Sequence, residues 1–331
     1  MPSQPRTSQH EIKIAAPAED VYRLLAQAEN WPQLFPPNIH VDRLEGGERE
    51  ERIRIWATAG DTAKNWTSHR TLDPEGLRIV FRQEVSAPPV AAMGGTWQIE
   101  DLPSGEALVR LGHDFRAVQE ADLAWVDEVV DRNSRAELES LKALAESKAA
   151  TDELTCSFED VVHIKGAASD VYDFIYEAHL WTERLPHVVT VRLDQPEPGL
   201  QTLEMDTLSK DGSTHTTKSY RVGLAPDRIV YKQITLPALI TLHTGRWTFT
   251  PAGDGVDASS QHTFTVNTAA IERVLGKEAT AQDAIEYVRT ALSTNSRATL
   301  TIAKAYAEGL AGTAGSGGIS GVPGAGGAGR P

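Results

Sequence analysis

The chain contains itself twice. Val21, Tyr22, Trp31 and Pro36 recur 150 residues later as Val171, Tyr172, Trp181 and Pro186. The same offset carries Arg78-Ile79-Val80-Phe81 onto Arg228-Ile229-Val230-Tyr231, and Gly95-Thr96-Trp97 onto Gly245-Arg246-Trp247. Asn133-Ser134-Arg135 returns as Asn295-Ser296-Arg297, now 162 residues away. Such a period is too long for a solenoid unit and right for a complete domain. It divides the 331 residues into a first domain over 1–150, a second over 151–311 and a tail over 312–331. The tail holds nine glycines and one charged residue, a composition that cannot bury a core, and is expected to be disordered.

Charge narrows the partners. With 32 basic against 46 acidic residues the formal net charge is −14. That argues against a nucleic-acid binder, which needs a basic face, and disfavours an anionic membrane surface. A local basic patch for one acidic partner stays compatible with it. The lone Cys156 cannot close an internal disulfide, which suits a reducing compartment, and it reads as an ordinary strand residue. The opening residues are polar, and no apolar run approaches a membrane span, so a cytoplasmic location is expected.

Each half follows one pattern. His10 to Ala15 alternates as a strand, Ala18 to Gln27 carries Val21, Leu24 and Leu25 at helical spacing, and a short helix is expected over Gln33 to Phe35. From Val41 to Phe115 come short alternating segments split by glycine and proline turns, which read as about six strands of an antiparallel meander. A long amphipathic helix over Leu123 to Ser147 closes the half. The second half repeats this with a strand at Leu154–Ile164, a helix at Ser169–Ala178, strands from Val188 to Val266 and a final helix at Ala281–Leu310. Its main departure is an insertion of 13 residues around Thr268 to Ala281. The linker, about Ala149 to Glu153, is short enough to bring the domains into contact. The fold class is therefore α+β: two tandem domains, each a curved antiparallel sheet around its last helix, with a cavity between the two.

One strand concentrates polar chemistry. In Lys64-Asn65-Trp66-Thr67-Ser68-His69-Arg70 alternation puts Trp66, Ser68 and Arg70 on one face, Thr67 and His69 on the other. Thr217, Ser219 and Arg221 occupy the corresponding places in the second half. An aromatic face, a hydroxyl and a guanidinium side by side suit a planar, oxygen-rich ligand. The alternative is an ordinary solvated strand, with Arg70 pairing with a carboxylate such as Asp61. His113 and His262 match on a late strand, where a lone histidine is more often structural than an acid or base. Trp31/Trp181 and Trp97/Trp247 are paired by the repeat and read as core packing, whereas the unpaired Trp56, Trp66 and Trp125 are pocket candidates. No HExxH pair, cysteine cluster or Gly-x-Gly-x-x-Gly loop occurs, so neither a metal nor an organic cofactor is expected.

Taken together, the Trp-x-Ser-x-Arg strand, the Val-Tyr-x-Leu-Leu helix leading into Trp31-Pro32, Gly95-Thr96-Trp97 and the Asn-Ser-Arg closing helix resemble one family. It is the polyketide aromatase/cyclases of bacterial type II polyketide synthases, members of the START-like (Bet v 1-like) helix-grip superfamily, and the duplication resembles the di-domain class. The resemblance covers about residues 8 to 311. It implies first-ring closure, C7–C12, and dehydrative aromatisation of a poly-β-ketone that is already ketoreduced and is carried by an acyl carrier protein through phosphopantetheine. It also implies contact with a ketosynthase and a ketoreductase, and no nucleic acid or membrane partner. By matching position, Ser68, Arg70, Ser219 and Arg221 become the expected catalytic groups. The expected substrate-binding wall comprises Trp66, Trp56, Trp31, Trp97 and His113 in the first half, and Thr217, Trp181, Trp247 and His262 in the second. Thr217 in place of Trp66 suggests a second pocket that is wider or differently employed.

The chemistry is compatible with this set. Positions between two ketones are acidic already, so folding the chain and holding oxyanions in a dry cavity are the larger tasks. Arg70 suits charge stabilisation and water positioning, and Ser68 can hold a carbonyl or pass a proton. The rival reading is a non-catalytic START-like carrier or chaperone of a hydrophobic small molecule, or one catalytic domain beside a scaffolding one.

Overall fold

The computed structural model describes residues 3–59, 62–86, 88–208, 212 and 214–316. Strand β1 (Arg6–Ile14) opens the first half and turns its alternate side chains inward, ending on fully buried Ile14. Pro17 supplies the entry to α1 (Ala18–Ala26), whose first turn carries Glu19 and Asp20 where carboxylates complement the helix dipole. Val21, Tyr22 and Leu25 form its buried face. A 3₁₀ turn (Ala28–Asn30) then feeds α2 (Trp31–Leu34), which holds Pro32 in its first turn. This helix starts two residues before the expected Gln33, and it ends at Leu34, one residue before the expected Phe35, because Phe35 must be extended ahead of Pro36.

The meander follows as β2 (Asn38–Gly46), β3 (Glu50–Ala59), β4 (Thr62–Asp73), β5 (Arg78–Val85), β6 (Val90–Asp101) and β7 (Ala107–Ala117). The strands form one antiparallel seven-stranded sheet in the order β1-β7-β6-β5-β4-β3-β2. Helix α3 (Leu123–Leu154) lies in its concave side: Leu138 and Leu141 pack with Val21 and Leu25 of α1 and with Ile14, Ile99, Val109 and Leu111 of the sheet. Residues 149–153, the expected linker, are the last turns of this helix, which extends past Ser147 and hands over directly to β8 (Thr155–Ile164).

The second half repeats the order with α4 (Ala168–Tyr176), α5 (Trp181–Arg184), β9 (Val188–Glu197), β10 (Leu200–Leu208), β11 (Thr214–Leu224), β12 (Arg228–Thr235), β13 (Ile240–Ala252) and β14 (Gly255–Val266). Its sheet runs β8-β14-β13-β12-β11-β10-β9, the same topology. The insertion forms a 3₁₀ turn and α6 (Ile271–Leu275), and Ile271 joins Leu239, Ile240, Phe264, Val266 and Val288 in a separate apolar cluster. Helix α7 (Ala281–Ser316) exceeds its expected end at Leu310 and enters the glycine-rich segment, where no proline breaks it before Pro323. The remainder of the expected disordered tail, 317–331, lies outside the described residues. Among the described residues no helix is long and apolar enough to cross a membrane. The two halves are thus helix-grip domains in tandem.

The halves meet through the convex faces of their sheets. Ile39, Trp56 and Ala63 of the first pack against Leu200, Tyr220, Val222 and Val230 of the second. Sequence places Trp56 in the ligand pocket; it alternates with cavity-lining Ile55 on β3 and so points the other way, into this seam, with its ring tilted against His40. Around the seam Arg228 Nη2 donates to Asp42 at 2.6 and 2.7 Å, and Asn65 donates to Glu197 at 3.0 Å. At its centre the Lys232 ammonium donates to three carbonyls of the other domain: Phe35 at 2.9 Å, Pro36 at 3.0 Å and Asn38 at 2.9 Å. All three N–H donors are used and none meets a carboxylate there. Burial pulls the Lys232 pKa down to about 8, still mostly charged at neutral pH. Replacing Lys232 by Met leaves three buried acceptors without their donor, so the expected loss is about 1–3 kcal/mol of stability. Urea unfolding of the Lys232→Met variant checks this, and a midpoint equal to the parent's contradicts the role given to the clamp.

Candidate active site

Strand β4 presents Trp66, Ser68 and Arg70 to the concave side, where they line a cavity of about 200 Å³ between the sheet and α3. Ser68 and Arg70 are buried, so the solvated-strand alternative does not apply to this face. The Arg70 guanidinium lies over the Trp31 ring at 4.8 Å from its centroid, and its Nη2 donates to the Leu25 carbonyl at 2.9 Å. Trp31 Nε1 donates to that same carbonyl at 3.2 Å. Leu25 sits in the last turn of α1, so a cation and an indole N–H satisfy a helix C-terminus that carries partial negative charge.

Arg70 does pair with a carboxylate, but it is Glu51, the residue directly opposite on β3. Nη1 stands 3.0 Å from Glu51 Oε1, close enough for strong attraction but not aligned as a hydrogen bond. Nη1 and Nε therefore keep donors without an aligned acceptor among the described residues. Glu51 also meets Arg43 Nε at 3.1 Å. Burial lowers the Arg70 pKa to about 10, with Glu51 opposing the shift, so the group remains a cation at neutral pH. Asp61, the partner suggested by sequence, lies outside the described residues.

The other walls are aromatic and apolar. Trp31 and Trp97, read as core packing from their recurrence, belong to the core cluster and also line the cavity. Trp125, 46% exposed, stands on α3 at the rim. His113 faces the cavity with Nδ1 3.3 Å from the Ser134 hydroxyl, and burial holds its pKa down to about 4, so it is neutral. Glu137, which sequence reasoning passed over, is half-buried on α3 three residues beyond Ser134. Shielding from bulk water pushes its carboxyl up to about 7. Its place in the stripe Val130, Ser134, Leu138, Leu141 was the available signal: a carboxylate beside an apolar helical face.

The second cavity, about 150 Å³, is built on the same plan with different chemistry. Arg221 lies over Trp181 at 5.0 Å, and Nη2 donates to the Ile175 carbonyl in the last turn of α4 at 2.6 Å. Its cross-strand neighbour is Gln201, the counterpart of Glu51, which accepts from Nη1 at 2.8 Å. No described carboxylate forms an ion pair with Arg221, so this guanidinium is a net positive charge; burial lowers its pKa to about 10. Ser219, Thr217, Trp247 and His262 line this cavity. Thr217 does not enlarge it: the second cavity is the smaller, and His243 and Tyr231 occupy the places of Met93 and Phe81. Thr299 likewise stands where the first domain has Glu137, at the helix offset of 162.

Against known proteins, the model of the family described as polyketide cyclase / dehydrase and lipid transport matches twice, over residues 5–146 and 155–308. The chain belongs to this family. It is 53% identical over 298 residues to the granaticin polyketide synthase bifunctional cyclase/dehydratase of Streptomyces virginiae, covering 88% of this chain and 97% of that protein. It is 44% identical over 309 residues to the actinorhodin polyketide synthase bifunctional cyclase/dehydratase of Streptomyces coelicolor, covering 90% and 96%. The crystal structure of the di-domain ARO/CYC BexL from the BE-7585A biosynthetic pathway superposes with a TM-score of 0.83 at 56% identity, covering 92% of this chain and 99% of that one. The chain is a di-domain member of the polyketide cyclase family, and its duplication is the duplication of the family unit.

In this di-domain cyclase the two arginines give an internal comparison, one balanced by a carboxylate and one held by an amide. Glu51→Ala strands a buried guanidinium and is expected to cost about 3–5 kcal/mol. Glu51→Gln copies the second domain and is expected to cost less than half as much. Paired urea titrations decide it, and equal losses in the two variants mean that the charge of Glu51 is not what holds Arg70.

Proposed function

We propose that the protein closes the first ring of a poly-β-ketone, joining C7 to C12, and then removes water to aromatise that ring. The substrate is a ketoreduced chain tethered to an acyl carrier protein through phosphopantetheine, handed on from a ketosynthase and a ketoreductase. The relatives named as cyclase/dehydratases of polyketide synthases support the reaction class. The observation that carries it to these residues is a buried guanidinium beside a buried serine on the concave face of each sheet. A carrier of a hydrophobic molecule gains nothing from burying a charge there, which costs desolvation energy.

In the first cavity, the tryptophan walls bend the chain so that the reacting carbons meet, which replaces a search through chain conformations by a fixed geometry. The Glu137 carboxylate takes a proton from a carbon between two ketones. The electron pair moves to the carbonyl oxygen as an enolate, which Arg70 Nε and Nη1 stabilise. The enolate carbon attacks the target ketone, and the new alkoxide takes back the proton that Glu137 removed, with Ser68 holding the oxygen in place.

In reconstituted minimal synthase with ketoreductase, Arg70→Ala and Arg221→Ala are each expected to shift product from the ring-closed aromatic compound toward spontaneous shunt products. Wild-type protein that leaves the shunt pattern unchanged sinks the enzyme reading. Glu137 must be deprotonated to act, so ring closure is expected to rise as pH passes upward through about 7. The folded-state pKa lies above its ordinary 4.5, so the stability contribution of Glu137 is present below that value and lost as pH rises through about 7. Glu137→Gln is expected to flatten both profiles, and rate and melting temperature measured from pH 5 to pH 8.5 report it; unchanged slopes assign the base elsewhere.

A further inference from the structure

A transverse row of side chains crosses the second sheet that the first cannot reproduce. Arg221, Tyr231, Gly245 and His262 are successive register partners on β11, β12, β13 and β14, and all share the concave face. Gly245 is required: a Cβ there would collide with the Tyr231 phenol, which lies across the glycine to reach His262. The Tyr231 hydroxyl stands 3.0 Å from His262 Nδ1. His243, two residues before Gly245 on the same face, places Nε2 3.0 Å from that same Nδ1, with the two rings stacked. Beyond them His243 Nδ1 meets Gln233 Oε1 at 2.6 Å, and His262 Nε2 meets Ser296 Oγ at 2.6 Å. Ser296 in turn donates to the Leu292 carbonyl at 3.0 Å.

The chain of contacts constrains the protons. Two imidazole nitrogens 3.0 Å apart need one proton between them, since two lone pairs or two N–H groups would repel. Gln233 Oε1 only accepts, so His243 Nδ1 carries its N–H, His243 Nε2 is the lone pair, and the shared proton sits on His262 Nδ1, within reach of the Tyr231 oxygen. Burial, and for His243 the neighbouring His262, hold these rings at about 3 and about 4, so both rest neutral, each with one lone-pair nitrogen. Burial also raises the Tyr231 pKa, which keeps the hydroxyl protonated. In the first sheet the same row reads Arg70, Phe81, Gly95 and His113, with Met93 in the place of His243. Its aromatic ring fills the same glycine cradle but has no hydroxyl to pass a proton.

We infer that the second cavity is the water-eliminating site, in which Tyr231 is the proton donor to the departing hydroxyl and the His262–His243 pair is its reservoir. The inference rests on the function proposed above and divides that function between the domains. The step balances without a co-reactant. A ring-closed β-hydroxyketone gives its α-proton to the imidazole pair, and the C–H electron pair becomes an enolate facing the unneutralised Arg221. The enolate collapses to a C=C bond, the C–O bond breaks, and hydroxide leaves with the Tyr231 proton as water. The imidazolium then returns the α-proton to the tyrosinate. No atom changes hands except those of the water, and nothing is oxidised or reduced. His243 acts through His262 and is a positioning residue.

The probe is a synthetic ring-closed β-hydroxyketone, followed by the growth of aromatic absorbance in the presence of the full-length protein. Tyr231→Phe and His243→Met copy the residues that the first domain carries in the same cradle, and circular dichroism checks that the fold persists. Loss of a general acid is expected to lower kcat for elimination by about 100-fold in Tyr231→Phe. His243→Met is expected to lower kcat with KM held, a split that loosened packing does not produce. If His243→Met fails to fold, Tyr231→Phe, which deletes a single oxygen, decides alone. Elimination at the wild-type rate in Tyr231→Phe overturns the inference, and so does a wild-type protein that leaves the probe unreacted. Either result leaves the proposed function standing if wild-type protein still redirects the reconstituted synthase. A protein that redirects nothing there removes both.

Discussion

Each half of this molecule is organised by a guanidinium packed between an indole ring and the carbonyl end of a short helix. Arg70 binds the last turn of α1 and lies on Trp31; Arg221 does the same with α4 and Trp181. The contact solves two problems at once. Helix carbonyls that lack partners receive charged donors, and an arginine buried on a strand receives acceptors without surrendering every N–H. Because the strand, the helix and the tryptophan are fixed to one another through a single group, the cavity wall has a defined shape before any ligand arrives. Preorganisation of that kind is what lets a donor act on developing negative charge without first reorienting.

Duplication preserved this frame and altered the charge upon it. At matching positions of the two halves Glu51 corresponds to Gln201, Phe81 to Tyr231, Met93 to His243 and Glu137 to Thr299. The first cavity therefore contains a balanced ion pair and a carboxyl that titrates near neutrality. The second contains an unbalanced cation and neutral proton carriers, with no carboxylate among its described lining residues. Phe81 and Tyr231 each keep a ring packed against the core of their half, so that exchange adds a hydroxyl without removing the aromatic contact.

Much of this was legible in the chain. The repeat announced two domains of one fold, alternation put Trp66, Ser68 and Arg70 on one face, and the 162-residue offset pointed to the insertion. What escaped depends on register. Glu51 lies 19 positions before Arg70 and becomes its neighbour only through the turn that pairs β3 with β4. Trp56 is one step out of phase with Ile53 and Ile55, so its face follows from parity, but only once those isoleucines are known to point inward. The helical linker escaped for another reason: Ala149 to Glu153 contains no breaker, and a short connection between domains looks the same in sequence whether coiled or helical. His243 carries no signal in the repeat, because its counterpart is Met93 and recurrence marks only what the two halves share.

The Lys232 clamp has a consequence for how far these halves are modules. Its three acceptors lie on the segment Phe35 to Asn38, and both of those residues also line the first cavity. The floor of one chamber is thus fastened by a side chain encoded almost two hundred residues downstream, on the outer surface of the other. Severing the gene at the domain boundary would uncover the Trp56 seam and release that floor together. Exchange of one half between relatives is constrained in the same way: a grafted partner must bring not only its own chamber but a lysine at the right height on its back.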